Sequence, residues 1–334
     1  MRIAVVYSLP SRRLRSTIYG SIDEDSAVIA KMVARGLEFK GHTVQLCPIG
    51  EEEIAKIGEI QADCVFNLIE WCGQDIELAK QAFKYLRVLK IPVTGDTEAK
   101  FVLSGDKIAM KREMEKRGVP TPRAIAFATG EEEIPPALPY PMLVKPATEH
   151  CSVGLSRKSI ANNAQELRQI AKGQIASFNQ PALAEEFIVG RELMVYLLEE
   201  PTGVRVLPIE EVIFGSHDPL AFQTYSAKWV ETDPDYRATD VQPAKLTIEE
   251  QTMVEQVSAR AFTAIGLRGY ARLDVRMRVG QVYILEINAN PSVFDGDEEM
   301  KDINEEVIWG IKFPDYLETI VQAAVDHYGR GERV

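Results

Sequence analysis

The sequence predicts an α/β protein whose N-terminal part forms a parallel sheet. Near the N-terminus, short apolar runs alternate with longer amphipathic stretches, which is the pattern of βαβ units. Further along, two alternating strands flank a glycine turn and carry acidic residues on one face. With 334 residues, 46% of them hydrophobic and 26% charged, the chain is long enough for two or three domains.

The N-terminal pattern consists of five segments and a short extension. The predicted strands cover residues 2–7, 43–47 and 64–68, and the predicted helices cover residues 25–40 and 76–89. The runs assigned to strands are short and rich in β-branched residues, whereas those assigned to helices are longer and amphipathic. Residues 91–95 then form a short strand or a turn.

Helices and strands continue to alternate through the rest of the chain. A helical pattern over residues 97–117 ends at Gly118 and Pro120, which are typical helix-stop residues. Residues 130–141 combine a run of Glu with several prolines, so we expect a surface loop there. Further strands are predicted at residues 142–145, 182–188, 193–198 and 204–208, and further helices at residues 247–265 and 316–327.

A hairpin near the C-terminus carries the densest group of polar residues. Its strands, residues 272–277 and 282–288, flank the turn Val279-Gly280-Gln281. A register that places Asp274 opposite Glu286 also places Arg272 opposite Asn288, and a slip by one residue would mix charged and apolar side chains on both faces. The opposite, buried face would then consist of Leu273, Val275, Leu285 and Ile287.

The polar face of this hairpin predicts a metal site. Asp274, Glu286 and Asn288 supply only oxygen ligands, which suit Mg²⁺ or Mn²⁺ better than zinc or copper. The alternative is an exposed charged face of a sheet. The surrounding sequence favours the metal site, because lysines and a glycine-containing loop suited to phosphate occur elsewhere in the chain.

Several such segments lie ahead of the hairpin. They are Lys107 in SGDK, Lys145 in LVKP, the loop EHCSVG at residues 149–154 and the run EEFIVGRE at residues 185–192. The chain has neither a G-x-x-x-x-G-K-[ST] segment nor a G-x-G-x-x-G after a strand, so neither a P-loop nor a Rossmann cofactor site is predicted.

Taken in order, these segments resemble the ATP-grasp enzymes and, among them, the D-alanine:D-alanine ligases. The resemblance extends from about Val65 to Pro291 through VFNLIE, IPVTG, GDK, RGVPTP, LVKP, SVGLS, EEFIVGRE, AKW, ARLDV and LEINANPS. It implies the ATP-grasp fold, with three α/β domains and ATP between the second and third. The predicted domains cover residues 1–97, 98–186 and 187–334.

The resemblance also implies a nucleotide site. Lys107 and Lys145 would hold the α- and β-phosphates, and Lys228 would reach the γ-phosphate. The loop that closes over the triphosphate would consist of Ser152, Val153 and Gly154. The adenosine site would consist of Glu185 at the adenine amine, the backbone of Glu186, Phe187 and Ile188 at the adenine edge, and Glu192 at the ribose.

For the reaction, the resemblance implies an ADP-forming joining of a carboxylate to an amine through an acyl phosphate. Asp274, Glu286 and Asn288 would hold two Mg²⁺ ions, and Arg272 would stabilise the oxyanion of the tetrahedral intermediate. The catalytic residues are therefore predicted to be Arg272, Lys228 and Ser152.

The substrate side departs from the family pattern. The N-terminal Glu that binds an ammonium in the family has no counterpart except an acid such as Glu24. Glu70, Cys151 and Trp229 replace the family's His, Ser and Tyr, and a Trp can only donate a hydrogen bond. After the hairpin, Ser292 and the acids around Asp297 replace the residues that bind the acceptor carboxylate. We therefore expect an acceptor that lacks a free carboxylate or carries an extra positive group.

Composition limits the partners. The net charge of −12 argues against nucleic acid and anionic membranes as partners and favours small molecules. Neither a membrane-spanning run nor a cleavable signal is evident, so we expect a cytoplasmic protein, and the resemblance is compatible with a homodimer. The four cysteines lack metal spacing and are expected to be thiols.

Three functions stay open from the sequence. The first is an active ligase whose substrates differ from two D-alanines, and the second is an authentic D-alanine:D-alanine ligase with a remodelled pocket. The third is a non-catalytic ATP-binding regulator. The complete set of lysines, acids and Arg272 argues against the third, because a binding protein needs no oxyanion-stabilising arginine.

Overall fold

The computed structural model describes residues 1–17, 26–216, 218–293 and 307–334. Its first part is a parallel sheet in which the first strand lies between the other two. The elements are β1 (Arg2–Ser8), α1 (Arg12–Arg15), α2 (Ser26–Phe39), β2 (Thr43–Ile49), β3 (Cys64–Leu68) and α3 (Ile76–Leu89). The predicted parallel sheet is therefore confirmed. The predicted strand or turn at residues 91–95 forms a single parallel bridge between Val93 and Val65.

The long helix predicted at residues 97–117 is wrong, because two helices occupy this segment. These are α4 (Glu98–Ser104) and α5 (Lys107–Lys116). The carboxylate of Asp106 accepts hydrogen bonds from the N–H groups of Ile108 and Ala109, each at 3.0 Å, and so begins a new helix. This break places Lys107 in the first turn of α5.

A second sheet has four strands in the order β4, β7, β5, β6. Its elements are β4 (Ala124–Phe127), β5 (Met142–Pro146), β6 (Ile160–Ala161), α6 (Ala164–Phe178) and β7 (Ala182–Glu186). The sequence analysis made no prediction for α6, whose buried residues are Leu167 and Ala171. The strand predicted at residues 182–188 ends two residues earlier than expected.

A third sheet has six strands and contains the hairpin. Its strands are β8 (Arg191–Glu200), β9 (Gly203–Val206), β10 (Glu210–Phe214), β11 (Thr239–Pro243), β12 (Tyr270–Arg278) and β13 (Gln281–Asn288). Strand β8 lies beside β12, and β9 pairs with β8. Strands β10 and β11 were not predicted. Four of the five residues of β11 are exposed, so this strand has no alternating apolar pattern.

The remaining elements connect and cover these sheets. They are α7 (Tyr225–Trp229), α8 (Pro234–Arg237), α9 (Ile248–Ile265), β14 (Val307–Ile308), β15 (Ile311–Lys312) and α10 (Phe313–Gly329). Helices α9 and α10 confirm the two helices predicted there, and α9 begins with a capping box between Thr247 and Glu250. One apolar cluster joins α10 to the N-terminal sheet and to β8. The three large sheets fall one in each predicted domain, while the domain boundaries stay predictions.

The register of the hairpin agrees with the prediction. Asp274 lies opposite Glu286, and Arg272 lies opposite Asn288. The predicted buried layer is wrong at Leu285, because a bulge after Asp274 pairs Val275 with Ile284 instead. Ile284 is fully buried, whereas Leu285 is only half-buried. In the described part of the chain, no helix combines the length and the apolar character needed to cross a membrane.

Candidate active site

A cavity of about 570 Å³ lies where the second and third sheets meet the N-terminal sheet. It brings together most of the predicted site residues. Those that line it are Glu70, Lys107, Lys145, Cys151, Ser152, Val153, Glu192, Lys228, Trp229, Arg272, Asp274, Glu286, Asn288 and Ser292. Residues from distant parts of the sequence thus converge on one enclosed space, as expected of a ligand site.

Five other predicted residues are described by the structure but are not among the residues that line this cavity. They are Gly154, Glu185, Glu186, Phe187 and Ile188. Glu24 and Asp297 fall outside the described residues, as do the acids that surround each of them.

Glu286, one of the two acids of the hairpin, has three cations and one imidazole as neighbours: Lys107, Lys145, Arg272 and His150. Glu286 Oε1 lies 3.4 Å from Lys107 Nζ and 3.5 Å from His150 Nδ1. Burial opposes the ionisation of Glu286, but Lys107 and the other neighbouring cations outweigh burial and lower its pKa to about 2. Glu286 is therefore a carboxylate throughout the physiological pH range.

Arg272 and Asn288 complete this end of the hairpin. Arg272 contacts Asp274 through two N–H groups, from Nε to Oδ1 at 2.8 Å and from Nη2 to Oδ2 at 3.2 Å. Such a bidentate contact fixes the orientation of the guanidinium. Among the described residues, the buried side-chain nitrogen of Asn288 has no hydrogen-bond partner.

These residues fit a hard divalent cation. Asp274, Glu286 and Asn288 offer oxygen atoms from adjacent strands, and Glu286 is held in its charged form. Few carboxylates, with further oxygens from phosphates, are the typical ligands of Mg²⁺. The donor set and its charge therefore agree with the predicted metal site.

Two lysines approach the cavity from different elements. Lys107, at the start of α5, donates a hydrogen bond to the carbonyl of Glu149 in the loop after β5. Lys145, in β5, lies with its Nζ 2.5 Å from Glu185 Oε1. Both side chains are less than a tenth exposed, so their charges act in a poorly solvated space and interact strongly with an anion.

Glu192 has a partner that the sequence analysis missed. Arg276 Nη2 donates to Glu192 Oε2 at 2.5 Å and to the carbonyl of Ala221 at 2.7 Å. Its guanidinium also lies 5.0 Å from the centre of the Phe187 ring. Burial raises the pKa of Glu192, although Arg276 opposes this shift. Side chains alternate along β12, so Arg276 lies on the same face as Asp274. This alternation could have indicated from the sequence that Arg276 belongs to the site.

The loop between β5 and β6 turns tightly beside the cavity. Cys151 and Ser152 have φ values of 54° and 60°, a left-handed conformation that residues other than glycine rarely adopt. Gly154 has φ 78°, and a Cβ there would lie 2.7 Å from the Phe178 ring. Only glycine fits at this position. Ser152 Oγ donates to the carbonyl of Gln223 at 2.9 Å, which ties the loop to the segment before α7.

A second contact closes this loop against α7. Trp229 Nε1 donates a hydrogen bond to the backbone carbonyl of Cys151 at 3.0 Å. The sequence analysis noted that a Trp cannot accept a hydrogen bond from its neighbours, and the structure shows it acting as a donor to the backbone. The loop and α7 are thus joined by a hydrogen bond from a side chain to the backbone.

Replacing Trp229 by Phe should weaken this closure, because Phe keeps the ring and lacks the donor. We expect the apparent KM for ATP to rise about two- to tenfold, which corresponds to one neutral hydrogen bond of about 0.5–1.5 kcal/mol. Thermal unfolding should be nearly unchanged. Initial rates over a range of ATP concentrations test this expectation, and identical kinetic constants for the two proteins would contradict it.

The opposite end of the cavity belongs to the N-terminal sheet. Glu70 Oε2 accepts a hydrogen bond from Ser26 Oγ at 3.2 Å. Arg13 contacts Asp75 through Nε and Nη2 at 3.0 and 2.9 Å, and Ser11 Oγ donates to the same carboxylate. Sequence reasoning gave no role to Arg13 or Asp75, because their pairing spans 62 positions of the chain.

His150 is a further lining residue to which the sequence gave no role. Burial and the charge of Lys107 lower its pKa to about 4, so the imidazole is neutral at physiological pH. A neutral imidazole beside Lys107 and Glu286 adds no charge to this end of the cavity.

Solved structures match this architecture over nearly the whole chain. A D-alanine–D-alanine ligase from Bacillus anthracis has a TM-score of 0.73 at 18% identity, with 99% of each chain covered. The same enzyme complexed with ATP gives a TM-score of 0.71 at the same identity and coverage. The chain therefore has the ATP-grasp fold.

Comparison of the sequence with known proteins identifies the family as well as the fold. The family model described as D-ala D-ala ligase C-terminus matches residues 121–322. A Bordetella pertussis D-alanine–D-alanine ligase is 30% identical, with 81% of this chain and 82% of that protein covered. An uncharacterized protein, y4sG, from Sinorhizobium fredii is 31% identical, with 79% of each chain covered. The chain belongs to the D-alanine–D-alanine ligase family.

Proposed function

We propose that this protein is an ADP-forming ligase that joins a carboxylate to an amine through an acyl phosphate. One observation carries the proposal: a single cavity combines three lysines, Arg272 and the acid pair of the hairpin. The lysines are Lys107, Lys145 and Lys228. An inactive nucleotide-binding protein would have no use for this complete set.

The lysines of the cavity reduce the electrostatic repulsion between the two reacting groups. A carboxylate and a triphosphate repel each other, so they react only where their charges are neutralised. Lys107 and Lys145 lie at the phosphate end, and Lys228 lies beside Trp229, with its Nζ 5.4 Å from the indole centre. One oxygen of the carboxylate attacks the γ-phosphorus, and the bond from this phosphorus to ADP breaks.

The second step forms the amide. The amine nitrogen attacks the acyl carbon, and Arg272 stabilises the negative oxygen of the tetrahedral intermediate. The carbon–oxygen bond to phosphate then breaks, phosphate leaves with the bonding electrons, and the nitrogen loses its extra proton. The contacts with Asp274 hold the Arg272 guanidinium in one orientation, so no reorganisation is needed during the reaction.

Asp274, Glu286 and Asn288 would hold Mg²⁺, two ions as predicted, with Mn²⁺ as the alternative. When bound, the metal neutralises phosphate charge and orients the triphosphate. The negative charge of Glu286 and the oxygen-only donor set support this assignment. The adenosine would lie toward Glu192, whose carboxylate is positioned by Arg276.

For the substrates, we propose a pair other than two D-alanines. Glu70 and the Arg13–Asp75 pair line one end of the cavity. Trp229 donates a hydrogen bond to the backbone of Cys151, at two positions where the family has Tyr and Ser. Authentic D-alanine–D-alanine ligation is the second candidate. It is supported by relatives with that name, such as one from Erythrobacter litoralis that is 29% identical over 314 residues. The cytoplasmic location and the homodimer stay predictions.

A substrate screen tests this proposal. Phosphate release from ATP is measured with amino acids of both configurations, diamines, amino-acid amides and D-alanine alone, and products are identified by mass spectrometry. We expect amide formation with a pair other than D-alanine twice. Efficient D-alanine dimerisation would favour the second candidate, and absence of substrate-dependent phosphate release from every pair would contradict ligase activity.

A further inference from the structure

A buried cluster of three charged side chains lies beneath the cavity. Glu185 Oε1 is 2.5 Å from Lys145 Nζ, and Glu185 Oε2 is 2.8 Å from Lys111 Nζ. The three residues are at most 5% exposed. Of these three residues, only Lys145 lines the cavity. Lys111 and Glu185 therefore act on a cavity ligand through Lys145.

Lys111 is anchored at a second point. Its Nζ donates a hydrogen bond to Thr121 Oγ1 at 2.6 Å, and this hydroxyl donates to the carbonyl of Ile284 at 2.8 Å. Ile284 belongs to β13, the strand of Glu286, and Lys111 lies one turn after Lys107 on α5. Lys111 thus connects the elements that carry both phosphate-binding lysines and the metal ligands.

The cluster contains two ammonium groups and one carboxylate. Burial opposes the charge on Glu185, but Lys111 and Lys145 outweigh burial and lower its pKa. Burial also opposes the charge on Lys145, but Glu185, together with Glu286 and Asp274, outweighs burial and raises its pKa. At Lys111, burial outweighs the attraction of Glu185 and lowers the pKa. A buried group of charges with a positive sum is costly by itself and gains from an anion beside it.

We propose that Lys111 is a positioning residue for the nucleotide: with Glu185 it fixes the Lys145 ammonium at the cavity wall and keeps the cluster positive toward phosphate. This inference rests on the proposed function, because it takes the ligand of Lys145 to be ATP. It gives Glu185 a role toward the two lysines in addition to the contact with the adenine amine that the family resemblance implies. The carboxylate of Glu185 already contacts one ammonium with each oxygen.

The test is nucleotide binding measured by calorimetry with ATP, ADP and adenosine. Lys111→Met keeps a long side chain and removes its charge. ATP affinity should fall about tenfold, the effect of one unit charge several ångströms from the phosphates in a poorly solvated site. Adenosine affinity should stay constant, and Lys111→Arg should restore most of the ATP affinity. The matched control is Lys116→Met, on the same helix but 73% exposed, which should bind ATP as the unmodified protein does.

A purely structural role predicts a different pattern. Equal losses for ATP and adenosine, or an unchanged ATP affinity in Lys111→Met, would overturn the inference. If Lys111→Met does not fold, Thr121→Val decides, since it removes only the hydroxyl that holds Lys111 and should give a smaller loss confined to phosphate-bearing ligands. If the unmodified protein does not bind ATP, the proposed function itself is overturned. Failure of the proposed function is therefore distinguishable from failure of the role proposed for Lys111.

Discussion

Replacing Glu286 by Gln should reduce turnover about a hundredfold to a thousandfold, the typical effect of removing one group that stabilises developing charge. Gln keeps the volume of the side chain and removes the negative charge that a metal ion needs. Glu286 is ionised at neutral pH and faces Lys107 and His150, so its loss changes the charge of the site directly. Folding and nucleotide binding should be retained.

The rate is measured as phosphate release at saturating substrates, with thermal unfolding as the check on folding. Glu255→Gln is the matched control, because this carboxylate lies on α9 and contacts Gln251 outside the cavity. The metal dependence of the residual rate adds a second readout. Unmodified turnover in Glu286→Gln would show that Glu286 does not hold the metal.

Replacing Lys145 by Ala should weaken ATP binding about tenfold to a hundredfold. A hydrogen bond to a charged group contributes about 1.5–3 kcal/mol, and Lys145 is only 5% exposed. The variant leaves Glu185 with Lys111 as its remaining cation in the cluster, so the phosphates lose their nearest ammonium from β5.

Calorimetry with ATP measures this loss directly. Lys172→Ala is a suitable control, because this lysine is 46% exposed and pairs with Glu131 on the surface. Equal ATP affinity of the unmodified protein and Lys145→Ala would show that Lys145 serves only the packing of the second sheet.

Alternating patterns explain why the hairpin of β12 and β13 could be predicted. Period-two alternation in β12 and β13 permits one register that buries the apolar face, and the structure has this register at Asp274 and Glu286. The bulge after Asp274 could not be predicted in this way. The bulge depends on how β12 packs between β8 and β13. Because of it, Ile284 is buried in the core in place of the predicted Leu285.

Other features depend on contacts between distant residues. The break between α4 and α5 results from local capping by Asp106, a signal that was present in the sequence and was outweighed by the helical pattern around it. By contrast, the pairs Arg276–Glu192 and Lys111–Glu185 join different strands and helices. A single sequence gives the types of these residues and not their partners.

At the substrate end of the cavity, too, some features could be predicted from the sequence and others could not. Glu70, Cys151 and Trp229 could be recognised as departures because they interrupt motifs of the family, and all three line the cavity. The backbone contact between Trp229 and Cys151 depends on the left-handed turn of the loop, which residue types alone do not indicate. The pair of Arg13 with Asp75 appears only in three dimensions.

The formation of an acyl phosphate is the central claim, and oxygen transfer tests it most directly. A carboxylate substrate identified in the screen is labelled with ¹⁸O, and the released phosphate is analysed by mass spectrometry. The account predicts one ¹⁸O atom in each phosphate, together with ADP and the amide, because the attacking oxygen stays on phosphorus. Unlabelled phosphate, or AMP and pyrophosphate as products, would contradict it.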